Sequence, residues 1–264
     1  MSGILRAEIR KITTTRLWWI VLICILVLGG GYAALPATVA VLEARAVGSA
    51  SPFDDPGIVR SIYNGGNTLS RILVMVVGIA AMGSEYRHQT LASTYLATPR
   101  RTRVLLGKAA TLLLFGLLYG LASVAAGLAV SVPFILAKDG SFFLNQAETW
   151  RSLLLGVCSL ALWTMIGMGI GILIKNMLVA MLVGISFAYL VEPILSLIFF
   201  FRKWDVPLNL MPSGATNAML GITSPVLFAG ENPFIWWQGA LVLAGWCLLP
   251  AVIGVASTVR RDVT

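Results

Sequence analysis

Arg71 and Glu192 stand apart from the other ionisable residues of this 264-residue chain, because each sits well inside a long apolar run. Counted by helical rise, Arg71 lies about 13 residues, or roughly 20 Å, from Ser84, and Glu192 about 16 residues, or roughly 24 Å, from Asn176. Similar depths permit a pair, and an unpaired charge in such a setting costs at least a few kcal/mol. One reading places both groups against the same protein-lined or wet region, within one subunit or across two. The other has each snorkel outward, or find backbone and water separately. As a reactive centre they are minimal: an intramembrane enzyme acting on lipids needs further polar groups to converge within the bilayer. Asn64 and Asn67 share the segment of Arg71 and, being polar, are expected to face protein or water too. These four residues are the intramembrane polar candidates.

Other chemistry is poorly represented. His88 has no neighbouring His, Cys or acidic cluster, so it reads as interfacial or docking packing and not as a metal ligand or general base. Cys24, Cys158 and Cys247 all fall in apolar runs and read as buried packing. No carboxylate pair, nucleophile relay or metal motif stands out, so no catalytic residue, cofactor or metal is assigned. Gly107-Lys108 fails the phosphate-loop pattern GxxxxGK[ST], since Ala109 follows the lysine and Thr102 takes the place of the first glycine. The net charge of +8 invites a nucleic-acid partner, but the basic residues border apolar segments and form no folded polar face.

The elements that must position these residues follow from composition. With 58% hydrophobic and 11% charged residues and a mean hydropathy of +0.88, the chain holds far fewer charges than the roughly one quarter usual in a soluble domain. A lipid solvent explains this. Six apolar segments, about 17–42, 58–82, 102–137, 150–174, 177–201 and 234–258, predict an all-α polytopic membrane protein with six transmembrane helices in a single domain, 1–264. The first run is long and lacks a small-residue cleavage site, so a retained anchor is expected. Its glycines, Gly29 to Gly31, and Pro36 predict a kink or an early exit.

Residues 1–16 place Leu5, Ile9 and Ile12 at helical spacing among Arg6, Arg10, Lys11 and Arg16. They predict an interfacial helix on an anionic leaflet, or a positive flank that orients the first span. Residues 202–233 are rich in Pro, Gly and Asn yet carry many apolar side chains, which predicts short helices at the outer interface. Between the second and third spans, Ser84 reads as a helix cap, Glu85 as a first-turn charge and Pro99 as a terminator, which predicts a surface helix over 84–98.

Topology follows from the charge islands. Arg6, Arg10, Lys11, Arg16, Arg87, Arg100, Arg101, Arg103, Lys108, Lys175, Arg260 and Arg261 fall on one side, against Glu8, Glu85 and Asp262. The other side balances its basic residues with acids. This bias predicts cytoplasmic N- and C-termini in a multi-pass protein of the cell membrane.

With those residues on the page, the chain resembles a permease subunit of the ABC-2 class of ABC transporters. The most specific local feature is Glu85, then Thr90-Leu91, then Pro99 and Arg101, then Gly107-Lys108, set between spans two and three. Gln89 stands where the family usually has Gly. The resemblance implies that 84–98 is a cytoplasmic coupling helix, with Glu85, Tyr86, Thr90, Leu91, Tyr95, Pro99 and Arg101 at the contact with the ATPase. Glu85 is expected to orient or dock this helix, and Arg100, Arg101 and Arg103 to act as topology anchors. It further implies separate ABC ATP-binding subunits that carry ATP and Mg, a second permease copy or a homologous one, and export of an amphipathic drug, peptide or lipid-like substrate. Membrane lipids are the other partner and nucleic acid is not one. The readings from other classes are the intramembrane enzyme and a non-catalytic assembly or sensory subunit.

Overall fold

Backbone amides in hydrocarbon must find partners within their own segment, and the apolar runs of this chain do so as helices. The computed structural model describes residues 2–47, 52–87, 101–137, 140–222 and 234–261, and the regular structure among them is entirely helical. Helix α1 (Ser2–Thr13) ends in a threonine run, where the hydroxyls of Thr14 and Thr15 donate back to the carbonyls of Arg10 and Ile12 at 2.8 and 2.7 Å.

Span one follows as α2 (Leu17–Cys24), a π-helical turn (Ile25–Gly29) and α3 (Gly30–Val47). The glycines therefore mark a local widening, and the helix runs on to Val47 instead of leaving early. Span two is α4 (Pro56–Tyr63) and α5 (Asn67–Arg87), broken at 64–66. Asp55 caps α4 by accepting from the Gly57 amide at 2.7 Å, with Pro56 in the first helical position, where its missing N–H costs nothing.

Span three is the unbroken α6 (Arg101–Leu136), whose 36 residues reach about 54 Å and so overrun a hydrocarbon core of about 30 Å. Span four is α7 (Ala147–Leu173). A tight turn then leads to α8 (Met177–Ser186), capped by the Asn176 side chain, which accepts from Leu178 and Val179 amides at 3.0 and 3.3 Å. Span five continues through a second π-helical turn (Phe187–Val191) into α9 (Glu192–Phe201). Pro193 withdraws the amide that a carbonyl one turn back would accept, a cause for widening at that point. Two short helices, α10 (Asp205–Leu210) and α11 (Pro212–Leu220), precede the final α12 (Trp236–Arg261). Among the described residues, five helices are long and apolar enough to cross a membrane, where six spans were expected.

Span four sits at the centre, touching span two, span three, α11 and α12. Glycine makes the first two contacts close. A Cβ on Gly78 of α5 would press on the Thr164 carbonyl and lie 2.7 Å from the Met168 nitrogen, and one on Gly167 of α7 would press on the Met75 carbonyl. Gly116 and Gly120 bring α6 against Ala161 and Val157 of α7 in the same way, so the small-residue spacing in span three does mark a helix contact. Around these contacts Trp163, Met75, Ile79, Leu112 and Leu160 are almost fully buried. Buried residues make up 72% of the most apolar window of span two but 31% and 22% for spans one and five, which therefore lie on the outside.

Candidate functional site

Two polar centres lie within this apolar bundle, one at its basic end and one deep between helices. At the basic end, Glu85 occupies the last turn of α5, Lys108 lies near the start of α6, and Glu8 and Lys11 share a face of α1 through their i,i+3 spacing. Lys108 Nζ lies 2.6 Å from Glu8 Oε2 and 2.9 Å from Glu85 Oε1, and Lys11 Nζ lies 2.7 Å from Glu8 Oε1 and 2.8 Å from Glu85 Oε1. Each lysine thus touches both carboxylates in a ring of zero net charge. The ring ties α1 to the end of span two and the start of span three. Lys108, Glu8 and Glu85 are buried, while the Lys11 side chain is 43% exposed.

This corrects the local reading of the sequence. Ser84 is no helix cap: it lies within α5, where its hydroxyl donates to the Ala81 carbonyl at 3.4 Å. Glu85 is no first-turn charge, because it lies in the last turn of α5, which carries it inward to the two lysines. Helix α5 thus takes in residues 84–87, the first four of the predicted surface helix. Tyr86 packs against the main core, and Arg101 opens α6. Thr90, Leu91, Tyr95, Pro99 and the rest of 88–100 lie outside the described residues.

Burial raises the Glu8 carboxyl, but the Lys108 and Lys11 charges and hydrogen bonds outweigh it and hold the group below its ordinary value of 4.5. Burial likewise lowers Lys11, and the bonds to Glu8 and Glu85 outweigh it and hold the ammonium above 10.5. A depressed acid contributes stability that is present above its unfolded value and is lost as pH falls through the folded one. A raised base contributes stability present below its unfolded value and lost as pH rises through the folded one. The full contribution of Glu8 and Lys11 is therefore expected between pH 4.5 and 10.5. Melting of the full chain in detergent, followed by tryptophan fluorescence, should show an acid-side loss below pH 4.5 that Glu8→Gln diminishes.

The deeper centre is a cavity of about 450 Å³ between spans one, two, four and five and α11. Its polar wall comes from the broken half of span two. Asn64 donates to Ser152 Oγ at 3.1 Å, and Asn67 donates to the Gly156 carbonyl and Ser159 Oγ, each at 3.0 Å, so both asparagines bond to span four, while Asn64 Oδ1 has no hydrogen-bond partner among the described residues. Arg71 Nε donates to the Thr68 carbonyl at 3.2 Å, and its guanidinium lies 5.6 Å from the centre of the Trp163 ring. Glu192 Oε1 accepts from the Ser213 amide of α11. Arg71 and Glu192 are both buried and both line this cavity, yet no ion pair joins them among the described residues.

Neither centre was fully legible in advance. The sequence places Glu8, Lys11 and Lys108 in charge islands, Lys11 also on the interfacial helix and Lys108 in the Gly107-Lys108 pair, without bringing them together, although Glu8, the sole acid of α1 at i,i+3 from Lys11, is a usable signal. Trp163, Ser213 and Thr216 had no signal: Trp163 lies mid-run, and its donation to Thr216 Oγ1 at 3.0 Å joins helices far apart in sequence. That bond, with Ser152 donating to the Leu220 carbonyl at 2.7 Å and Trp246 to the Leu210 carbonyl at 2.9 Å, pins α10 and α11 onto the bundle.

A bundle of membrane-length apolar helices defines a multi-pass membrane protein. Its sequence from residue 4 to residue 191 matches the family model described as ABC-2 family transporter protein. The chain belongs to the ABC-2 transporter family. It is accordingly a membrane subunit of an ABC transporter and not a catalytic enzyme, which removes the intramembrane-enzyme reading, and members of this class work with ABC ATP-binding subunits. No curated protein matches the chain.

Proposed function

We propose that this chain is the membrane-spanning subunit of an ATP-driven exporter of an amphipathic drug, peptide or lipid-like substrate, with ATP and Mg held on a separate ATPase. Both termini lie in the cytoplasm, and α12, 26 residues and about 39 Å long, makes the sixth span. The ATPase docks on the connector after Arg87, with Thr90, Leu91, Tyr95, Pro99 and Arg101 in the contact.

The charged ring carries this reading. Because Glu85 and Lys108 flank the connector and share α1 as a common clamp, a push on the connector reaches spans two and three together. Span two passes the displacement to span four through the Gly78 and Gly167 contact, one helical turn from Trp163, which lines the polar cavity. A packed backbone contact transmits such a shift instead of absorbing it. Spans one and five, exposed and apolar, leave a face for lipid or for a second permease copy.

A photo-crosslinking residue placed at Tyr95 tests the docking. In membranes containing the co-expressed ATPase, it is expected to capture the ATP-binding subunit, with a yield that changes between nucleotide-free and ATP-bound states. Absence of capture in every nucleotide state would remove the coupling assignment.

A further inference from the structure

We propose that the cavity between Arg71 and Glu192 binds a zwitterionic amphiphile, its carboxylate or phosphate on Arg71, its ammonium on Glu192, and its apolar tail leaving between spans one and five. This names the substrate class of the transporter proposed above and rests on that reading.

The volume, about 450 Å³, falls within the roughly 300–1,000 Å³ of small-molecule sites. Opposite charges share its wall without closing on each other. Each is anchored from behind by a different element: Arg71 by the Thr68 carbonyl and the Trp163 ring, Glu192 by the Ser213 amide. Arg71 Nη1 and Glu192 Oε2 are left with no hydrogen-bond partner. Two charges needed only to neutralise each other would approach to bonding distance, because their attraction rises as separation falls and is strongest where water is excluded. Held apart, they suit a guest that carries both signs.

A guest with a single negative group would satisfy Arg71 and leave Glu192 short of a partner, and a lone cation would do the reverse; that asymmetry is the basis of discrimination. Both orphan atoms are covered by protein, so each side chain must turn toward the guest. The rim explains the tail. Leu35 of α3 and Tyr189 of the second π-helical turn line the cavity and are 49% and 52% exposed, on spans whose outer faces are apolar. A hydrocarbon chain leaving there stays in a solvent that matches it.

The test uses the full chain in dodecyl maltoside micelles with four probes: lysophosphatidylethanolamine, 2-aminotetradecanoic acid, lysophosphatidylglycerol and dodecyltrimethylammonium. The two zwitterions are expected to bind about tenfold or more tightly than the singly charged probes, in keeping with one charge-assisted hydrogen bond gained. Preference for one zwitterion over the other distinguishes a phosphate from a carboxylate guest. Arg71→Gln and Glu192→Gln should each erase the preference. Ser196→Trp, which fills the cavity from one turn along α9 from Glu192 and removes neither charge, should abolish binding with the helical circular dichroism unchanged. Equal binding of all four probes, or a preference that survives Glu192→Gln or Ser196→Trp in folded protein, would overturn the proposal. If the zwitterions fail while the ATPase still co-purifies, the site falls and the transporter reading stands. If they bind but no ATPase associates, the proposed ATPase-coupled export falls and the site stands.

Discussion

Replacing Lys108 with alanine is expected to destabilise the bundle by about 3–5 kcal/mol, the range for breaking a buried ion pair by removing one partner. Lys108 sits 2.6 Å from Glu8 and 2.9 Å from Glu85, and all three side chains are about 5% exposed or less. Without it, two buried carboxylates depend on Lys11 alone, and Glu85 Oε2 already lacks a partner. Lys11→Ala makes the instructive contrast. Its ammonium contacts the same two carboxylates, but the side chain is 43% exposed, so water and salt already screen it and the loss should be about 1 kcal/mol or less. Partial recovery is expected when Glu85→Gln is added to Lys108→Ala, since the second change removes the stranded charge. Denaturant titration in micelles measures the stabilities, and protease cleavage between α1 and span one reports whether the helix has come loose. A Lys108→Ala protein no less stable than Lys11→Ala would show that the ring does not hold these elements together.

Placing a methyl group on Gly167 should cost about 3 kcal/mol, at the upper end of ordinary overpacking, and valine there should prevent assembly of the bundle. The added carbon would press on the Met75 carbonyl oxygen and lie 2.8 Å from its carbon, and a backbone cannot rotate aside as a side chain can. Gly78→Ala meets the Thr164 carbonyl on the same interface and should behave alike. The damage extends beyond the contact. Spans two and four would have to separate, which pulls Asn67 from Ser159 and Arg71 from the Trp163 ring, so the cavity loses its polar wall together with its support. Gly31→Ala is the control: nothing lies within 4 Å of its added carbon, and alanine is the better helix former. Melting of the four variants side by side decides the matter, with equal losses at Gly31 and Gly167 counting against the close-contact account.

How far the chain could be read in advance differs between residues. The polar half of span two was suspect from Asn64, Asn67 and Arg71, because an apolar stretch starting at Ile72 is too short to cross a bilayer. Their partners, Ser152, Gly156 and Ser159, lie about 90 positions away, and no local pattern marks them. Glu85 was set on the wrong element. Ser84 followed by Glu85 looks like a helix start, and only the continuation of α5 through Arg87 shows a helix end.

The sequence by itself determined the solvent, the class of secondary structure and the places where charge could be tolerated. Each depends on hydropathy along a segment and on the demand that lipid makes of every backbone amide. Which charges meet was decided only in the tertiary structure. Most of the spanning helices are apolar nearly all round, so composition does not say which face is buried. Where spans two, three and four meet, the rotation is set instead by where a glycine admits a neighbouring backbone, as Gly78 and Gly167 do. That choice of face brings Lys108 to Glu8 across 100 residues, and Arg71 and Glu192 to one cavity.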